Sequence, residues 1–207
     1  MSGDRPMSLR FTITLVLSIV CLAVPACANY KAGVGANYRT GLDAYERGDY
    51  ATALREWRPL AEQGDASAQY NLGLLYTNGQ GVPKDDVQAR QWFEKAAVQG
   101  GAQVQVTLGN FYIRGQGGPQ DYLKALVLFR LAADQGDALA QTKLGVMYED
   151  GKGVPQDFVQ AYKWYYLASA SGDKVGTQLR VYLARKMPPA QMVEAQELAR
   201  VWKPKVK

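Results

Sequence analysis

A repeat with a period of 36 residues decides what this chain can fold into. Leu72-Gly73, Leu108-Gly109 and Leu144-Gly145 recur at that step, as do Tyr76, Tyr112 and Tyr148. The glycines Gly79, Gly115 and Gly151 follow, and then Gly81, Gly117 and Gly153. Pro83, Pro119 and Pro155 keep step, as do Asp85, Asp121 and Asp157, then Ala89, Ala125 and Ala161. Gly100, Gly136 and Gly172 close each unit, and the lattice extends backwards to Ala53 and Gly64. A unit of this size buries its apolar face only against its neighbours, so the period implies a stack.

Each unit reads as two helices. The first, helix A, covers about 66–78, with Leu72, Leu75 and Tyr76 at the spacing of a buried stripe. Gly73 lies beside that stripe. A glycine inside a helix costs about 1 kcal/mol against alanine, so its return at Gly109 and Gly145 implies a partner helix too close for a β-carbon. Gly79-Gln80-Gly81 ends helix A, because glycine takes a left-handed cap at little cost. Pro83 and Asp85 suit the start of helix B, whose packing face is Ala89, Trp92, Phe93, Ala96 and Ala97.

The pattern Leu-Gly-x-x-Tyr-x-x-Gly-x-Gly-Val-Pro-x-Asp, followed by Ala-x-x-Trp-x-x-x-Ala-Ala-x-x-Gly, resembles the Sel-one-like repeat, a relative of the tetratricopeptide repeat. Three units match, 66–101, 102–137 and 138–173; the middle one departs at Gly118 and at Leu128, where the others carry valine and tryptophan, changes that a core tolerates. The resemblance implies an all-α protein, a right-handed α/α-solenoid of about five helix pairs over 37–204. The stretch 37–65, with the short loop Arg47-Gly48-Asp49, resembles a tetratricopeptide-type opening pair. Residues 174–204 read as capping helices, the last starting at Pro188-Pro189 and stopped by Pro204. Residues 205–207 are left as a basic tail, with Lys205 and Lys207.

The first 28 residues read as an export signal. Arg5 and Arg10 give the basic start, and Phe11 to Val24 is an uncharged apolar run. It is shorter than the ~20 residues a membrane-spanning helix needs. Ala26-Cys27-Ala28 fits signal-peptidase cleavage after Ala28, and 29–36 reads as a flexible leader. The alternative is a lipoprotein anchored through Cys27, and Met7 is an alternative start to Met1. Either reading sends the protein across the inner membrane to the periplasm, with no transmembrane segment in the mature chain.

Composition removes several chemistries. The sequence has no histidine, which excludes Ser-His-Asp and Cys-His nucleophiles and nearly all catalytic zinc sites. The two cysteines, Cys21 and Cys27, both lie at or before the expected cut. The net charge of +5 is interspersed, and secretion removes nucleic acid as a partner. Ser171-Gly172-Asp173-Lys174 matches the Ser-x-x-Lys of penicillin-binding enzymes, but it straddles the end of a helix and has no Ser-Asp-Asn or Lys-Thr-Gly companion. Glu149-Asp150 and Asp85-Asp86 lack the ligand spacing of a calcium site. No catalytic residue, metal or cofactor is expected.

Positions identical in every unit serve the scaffold: Leu72, Gly73, Tyr76, Gly79, Gly81 and Ala89; Leu108, Gly109, Tyr112 and Ala125; Leu144, Gly145, Tyr148 and Ala161. The arc of helix A opposite Leu72 differs from unit to unit. It carries Tyr70, Asn71, Leu74, Thr77 and Asn78, then Val106, Thr107, Asn110, Ile113 and Arg114, then Thr142, Lys143, Val146, Glu149 and Asp150. In solenoids of the resembled type the first helices line the concave surface. The expected binding residues are therefore Tyr70, Asn71, Asn78, Thr107, Asn110, Arg114, Thr142, Lys143, Glu149 and Asp150, facing a peptide or protein segment of the cell envelope. The resemblance implies an interaction scaffold. Its alternatives are a cell-wall or β-lactam binder with weak β-lactamase-like activity, and a periplasmic regulator of a membrane sensor.

Overall fold

The computed structural model describes residues 38–205. The expected signal peptide 1–28, the leader 29–36, Cys21, Cys27 and Lys207 lie outside the described residues. Ten helices and no strand occur among the described residues. A helix α1 covers 38–46. It is followed by α2 (Tyr50–Glu62), α3 (Ala66–Asn78), α4 (Asp86–Ala97), α5 (Ala102–Arg114), α6 (Tyr122–Asp134), α7 (Ala138–Asp150), α8 (Phe158–Ala170), α9 (Lys174–Ala184) and α10 (Pro189–Arg200). Consecutive helices pack as pairs, and the pairs stack into an all-α solenoid. Among the described residues no helix is long and apolar enough to cross a membrane.

The caps recur with the period. Asp85, Asp121 and Asp157 accept backbone N–H groups at the starts of α4, α6 and α8. Asp65 and Asp137 do the same for α3 and α7. In the middle repeat that place holds Gly101, and α5 has no side-chain cap. Gly79, Gly115 and Gly151 end the A helices with φ of 68°, 65° and 65°. The loop is then pinned to the helix it leaves, since the N–H of Asp85, Asp121 and Asp157 donates to the carbonyl of Tyr76, Tyr112 and Tyr148.

The helical glycines answer to aromatic rings. A β-carbon at Gly73 would lie 2.4 Å from Cε1 of Phe93, one at Gly109 2.6 Å from Phe129, and one at Gly145 2.5 Å from Tyr165. Each ring is fully buried, an arrangement worth about 1.5–3 kcal/mol per ring in transfer from water. The close approach that the sequence implies is thus helix A backbone against the ring of helix B. The opening pair repeats it with Gly41 against Trp57.

Side chains stitch one pair to the next. Tyr112 Oη donates to Glu94 of the preceding helix B at 2.8 Å, and Tyr76 Oη accepts from Arg58 at 3.0 Å. Tyr148 Oη accepts from Arg130 in the same way. A glutamine ladder runs alongside, from exposed donors to buried acceptors: Gln99 donates to Gln69 at 3.1 Å and Gln135 to Gln105 at 2.9 Å. The third rung is incomplete. Ser171 stands where Gln99 and Gln135 would repeat, and Gln141 Oε1 is buried with no partner among the described residues.

Several expectations are corrected. Gly118 is exposed and abuts the Arg90 guanidinium, and Leu128 is half-buried, so neither departure lies in the sealed core. Trp92 is half-buried beneath Lys95, whose ammonium sits 4.1 Å from the ring centre. The last helix ends at Arg200, ahead of Pro204, which instead packs near Gly136.

Candidate functional site

Ten outward positions on the A helices were expected to bind, and they divide into four groups. Tyr70 and Asn71 line a cleft of about 540 Å³ with Tyr38 of α1 and Gln103 and Val104 of α5. Tyr70 is braced by Phe93, with ring centres 5.6 Å apart. Asn71 Nδ2 donates to Tyr38 Oη at 3.1 Å, which orients its amide oxygen away from that contact. The cleft therefore has aromatic and aliphatic walls with amide groups between them, a lining suited to an extended peptide.

Asn78, Arg114 and Asp150 form a second group, exposed at the C-terminal ends of α3, α5 and α7. Asn78 donates to Gln80 at 3.1 Å, and Asp150 accepts from Lys152 at 2.8 Å. These ends lie in successive repeats and make a row along the stack rather than a pocket. Thr107, Asn110 and Lys143 are half-buried on the mid-helix face. Thr107 Oγ1 donates back to the Gln103 carbonyl at 2.9 Å.

Two expected residues serve the scaffold instead. Thr142 is buried, at 3% exposure, and donates to the Asp173 carboxylate. The start of α9 covers it: a β-carbon at Gly176 would lie 2.7 Å from Thr142 Oγ1. The 100° helical arc did not count that the next pair closes over the third repeat. Glu149 accepts from Tyr165 Oη at 2.7 Å, which holds its carboxylate against α8. Burial, helped by that bond, raises the Tyr165 phenol well above its ordinary value; burial and Glu94 raise Tyr112 likewise.

The candidate nucleophile has no supporting chemistry. Ser171 is the exposed C-cap residue of α8 and Lys174 the exposed first residue of α9, so the motif spans a turn. Among the described residues no group of three or more His, Cys, Asp or Glu side chains gathers to hold a metal.

The pattern of the Sel1 repeat matches residues 66–101, 102–137 and 138–173. The chain belongs to the Sel1-repeat family. Repeats of this kind generally mediate protein–protein interaction, and the family is typically non-enzymatic. A Sel1 repeat protein from Oxalobacter formigenes superposes with a TM-score of 0.62 at 34% identity, over 68% of this chain and 56% of that one. The protective antigen c5321 of uropathogenic Escherichia coli, which displays the same repeat fold, gives 0.57 at 30% identity, over 82% of this chain and 45% of the antigen. In sequence the chain is similar to an exopolysaccharide production negative regulator of Rhizobium leguminosarum bv. viciae, 29% identical over 93 residues. That stretch is 44% of this chain and 35% of the regulator. It is also similar to the DAP3-binding cell death enhancer 1 of Rattus norvegicus, 30% identical over 84 residues, which are 40% of this chain and 15% of that protein. The chain thus spans a minor part of the curated relatives it matches.

Two features of this Sel1-repeat chain were missed in the sequence. Gln69, Gln105 and Gln141 are identical at every step of the lattice, and a polar residue repeated on a buried stripe signals a hydrogen-bonded ladder. Trp202 reads in the sequence as part of the last helix, yet it follows that helix and packs on Trp164 of the third repeat.

Proposed function

We propose that this chain is a protein-interaction scaffold of the bacterial envelope with no reaction of its own, holding a peptide or protein segment on the concave surface lined by its A helices. The observation that carries this reading is the division of labour within the repeat. Identical positions are spent on rings, glycines and caps, while Asn71, Thr107 and Lys143 occupy one lattice position with three different polar groups. Asn78, Arg114 and Asp150 do the same two turns further on. A surface of mixed polarity beside the Tyr70 cleft suits a partner read by shape and a few hydrogen bonds. Export by residues 1–28, through cleavage after Ala28 or lipidation at Cys27, belongs to the same proposal.

The test is capture of envelope protein on the immobilised chain, with the double variant Asn110→Arg, Lys143→Glu alongside. Retention by the wild type and loss by the variant, at unchanged helicity and melting, supports the reading. Equal retention moves the binding surface elsewhere. A second reading, a regulator that restrains an envelope process, draws support from the similarity to the Rhizobium negative regulator. It predicts that deleting the gene raises that process, and that the double variant fails to restore the restraint.

A further inference from the structure

The B helices form a second set of grooves, which the proposed helix A surface does not use. Between α6 and α8 the groove is filled by the chain itself. After α10 ends, Trp202 sets its ring edge-on to Trp164 with centres 6.0 Å apart. Three residues on, the Lys205 N–H donates to the Asp134 carbonyl and its ammonium pairs with the Asp134 carboxylate at 2.8 Å.

One repeat earlier the same groove, between α4 and α6, is open. It has a volume of about 500 Å³ and is floored by Leu108 and Tyr112 of α5. The lattice step of 36 maps the tail's contacts onto it residue by residue. Leu128 stands for Trp164 and Val98 for Asp134, while Val127 stands for Lys163, the neighbour whose ammonium lies over the Trp164 ring. Each change makes the open groove more apolar or deeper than the filled one. Val98 is 86% exposed, Val127 57% and Leu131 47%, which is unusual for neighbouring apolar side chains on a soluble surface.

We propose that the α4–α6 groove seats an extended segment of a partner protein, which places an aromatic side chain against Leu128 and an apolar side chain three residues later against Val98. The tail supplies the template: an indole followed after two residues by a group matched to position 134. Charge decides against the tail of a second copy. Its Lys205 would arrive on Val98, and the groove's one carboxylate, Glu94, is already held by Arg90 and Tyr112, so the ammonium loses water and gains no free partner.

The probes are fluorescein-labelled peptides spanning residues 199–207, in the native sequence, with Lys205→Val, and with Lys205→Val plus Trp202→Ala. Each is titrated into the full chain by fluorescence anisotropy. The expected result is at least tenfold tighter binding of the Lys205→Val peptide than of the native peptide, and loss of binding without the indole. The chain variant Val98→Asp restores the carboxylate and should reverse the preference towards the native peptide. Leu131→Glu, an exposed position, should cost at least tenfold while helicity is kept. Three results would overturn the proposal. They are equal affinity of the peptides for both chains, binding undiminished by Leu131→Glu, and a dimer in sedimentation that Leu131→Glu dissociates, which would give the groove to a second copy.

Discussion

The second and third repeats share one backbone and differ in what covers them. The third packs Trp164 at 1% exposure under the chain's own Trp202, and its Thr142 is sealed by α9. The second holds Leu128 at the place of Trp164, half-buried, beneath an open groove. A period therefore fixes where side chains stand, while the neighbour beyond the period decides whether they are core or surface.

The comparison is broken most strongly at its centre. Trp164→Ala should cost about 3–5 kcal/mol, the range for emptying a buried aromatic site. Leu128→Ala at the matching position should cost about 1 kcal/mol, since it is half-buried and its groove is already open to water. Urea unfolding of the two variants checks the difference. Equal costs would mean that the tail does not seal the third repeat.

Alkaline pH tests the same contrast. Tyr112 and Tyr165 both donate to carboxylates, and burial raises both phenols above their unfolded value near 10. A raised folded value means the stabilisation is fully present below about pH 10 and is lost as pH climbs through the folded values. The unfolding midpoint should hold from pH 7 to 9 and fall above 10. Tyr165→Phe should flatten that fall more than Tyr112→Phe, because Tyr165 is fully buried.

Two smaller changes repair what each repeat lacks. Ser171→Gln restores the missing rung by giving Gln141 Oε1 a donor, and should stabilise by about 1 kcal/mol. Gly101→Asp supplies the N-cap that α5 lacks and should add a few tenths of a kcal/mol. Thermal melts of the single variants measure both. A loss of stability in Ser171→Gln would show that the rung cannot form at the end of α8.

Much of this was legible in the residues. Leu72, Gly73, Tyr76 and Gly79 announce a helix, its partner's closeness and its end, because each constraint is local to one unit and is written three times. The Sel1-repeat match and the A-helix span Ala66–Asn78 follow from those positions. The candidate surface was only partly legible. Thr142 and Glu149 face outward on an isolated helix, and only the packing of α8 and α9 turns them inward. The tail was illegible for the same reason in reverse. Trp202 and Lys205 occur once, and their partners Trp164 and Asp134 lie far away in sequence.

The most direct test of a scaffold that works through its A helices is site-specific photo-crosslinking in the cells the chain comes from. A benzophenone amino acid replaces Asn110 on the A face, and in a parallel strain it replaces Arg55, an exposed residue of α2. The account predicts a discrete adduct from position 110, lost when Lys143→Glu is added, and none from position 55. No adduct at 110, or the same adducts from both positions, would contradict it.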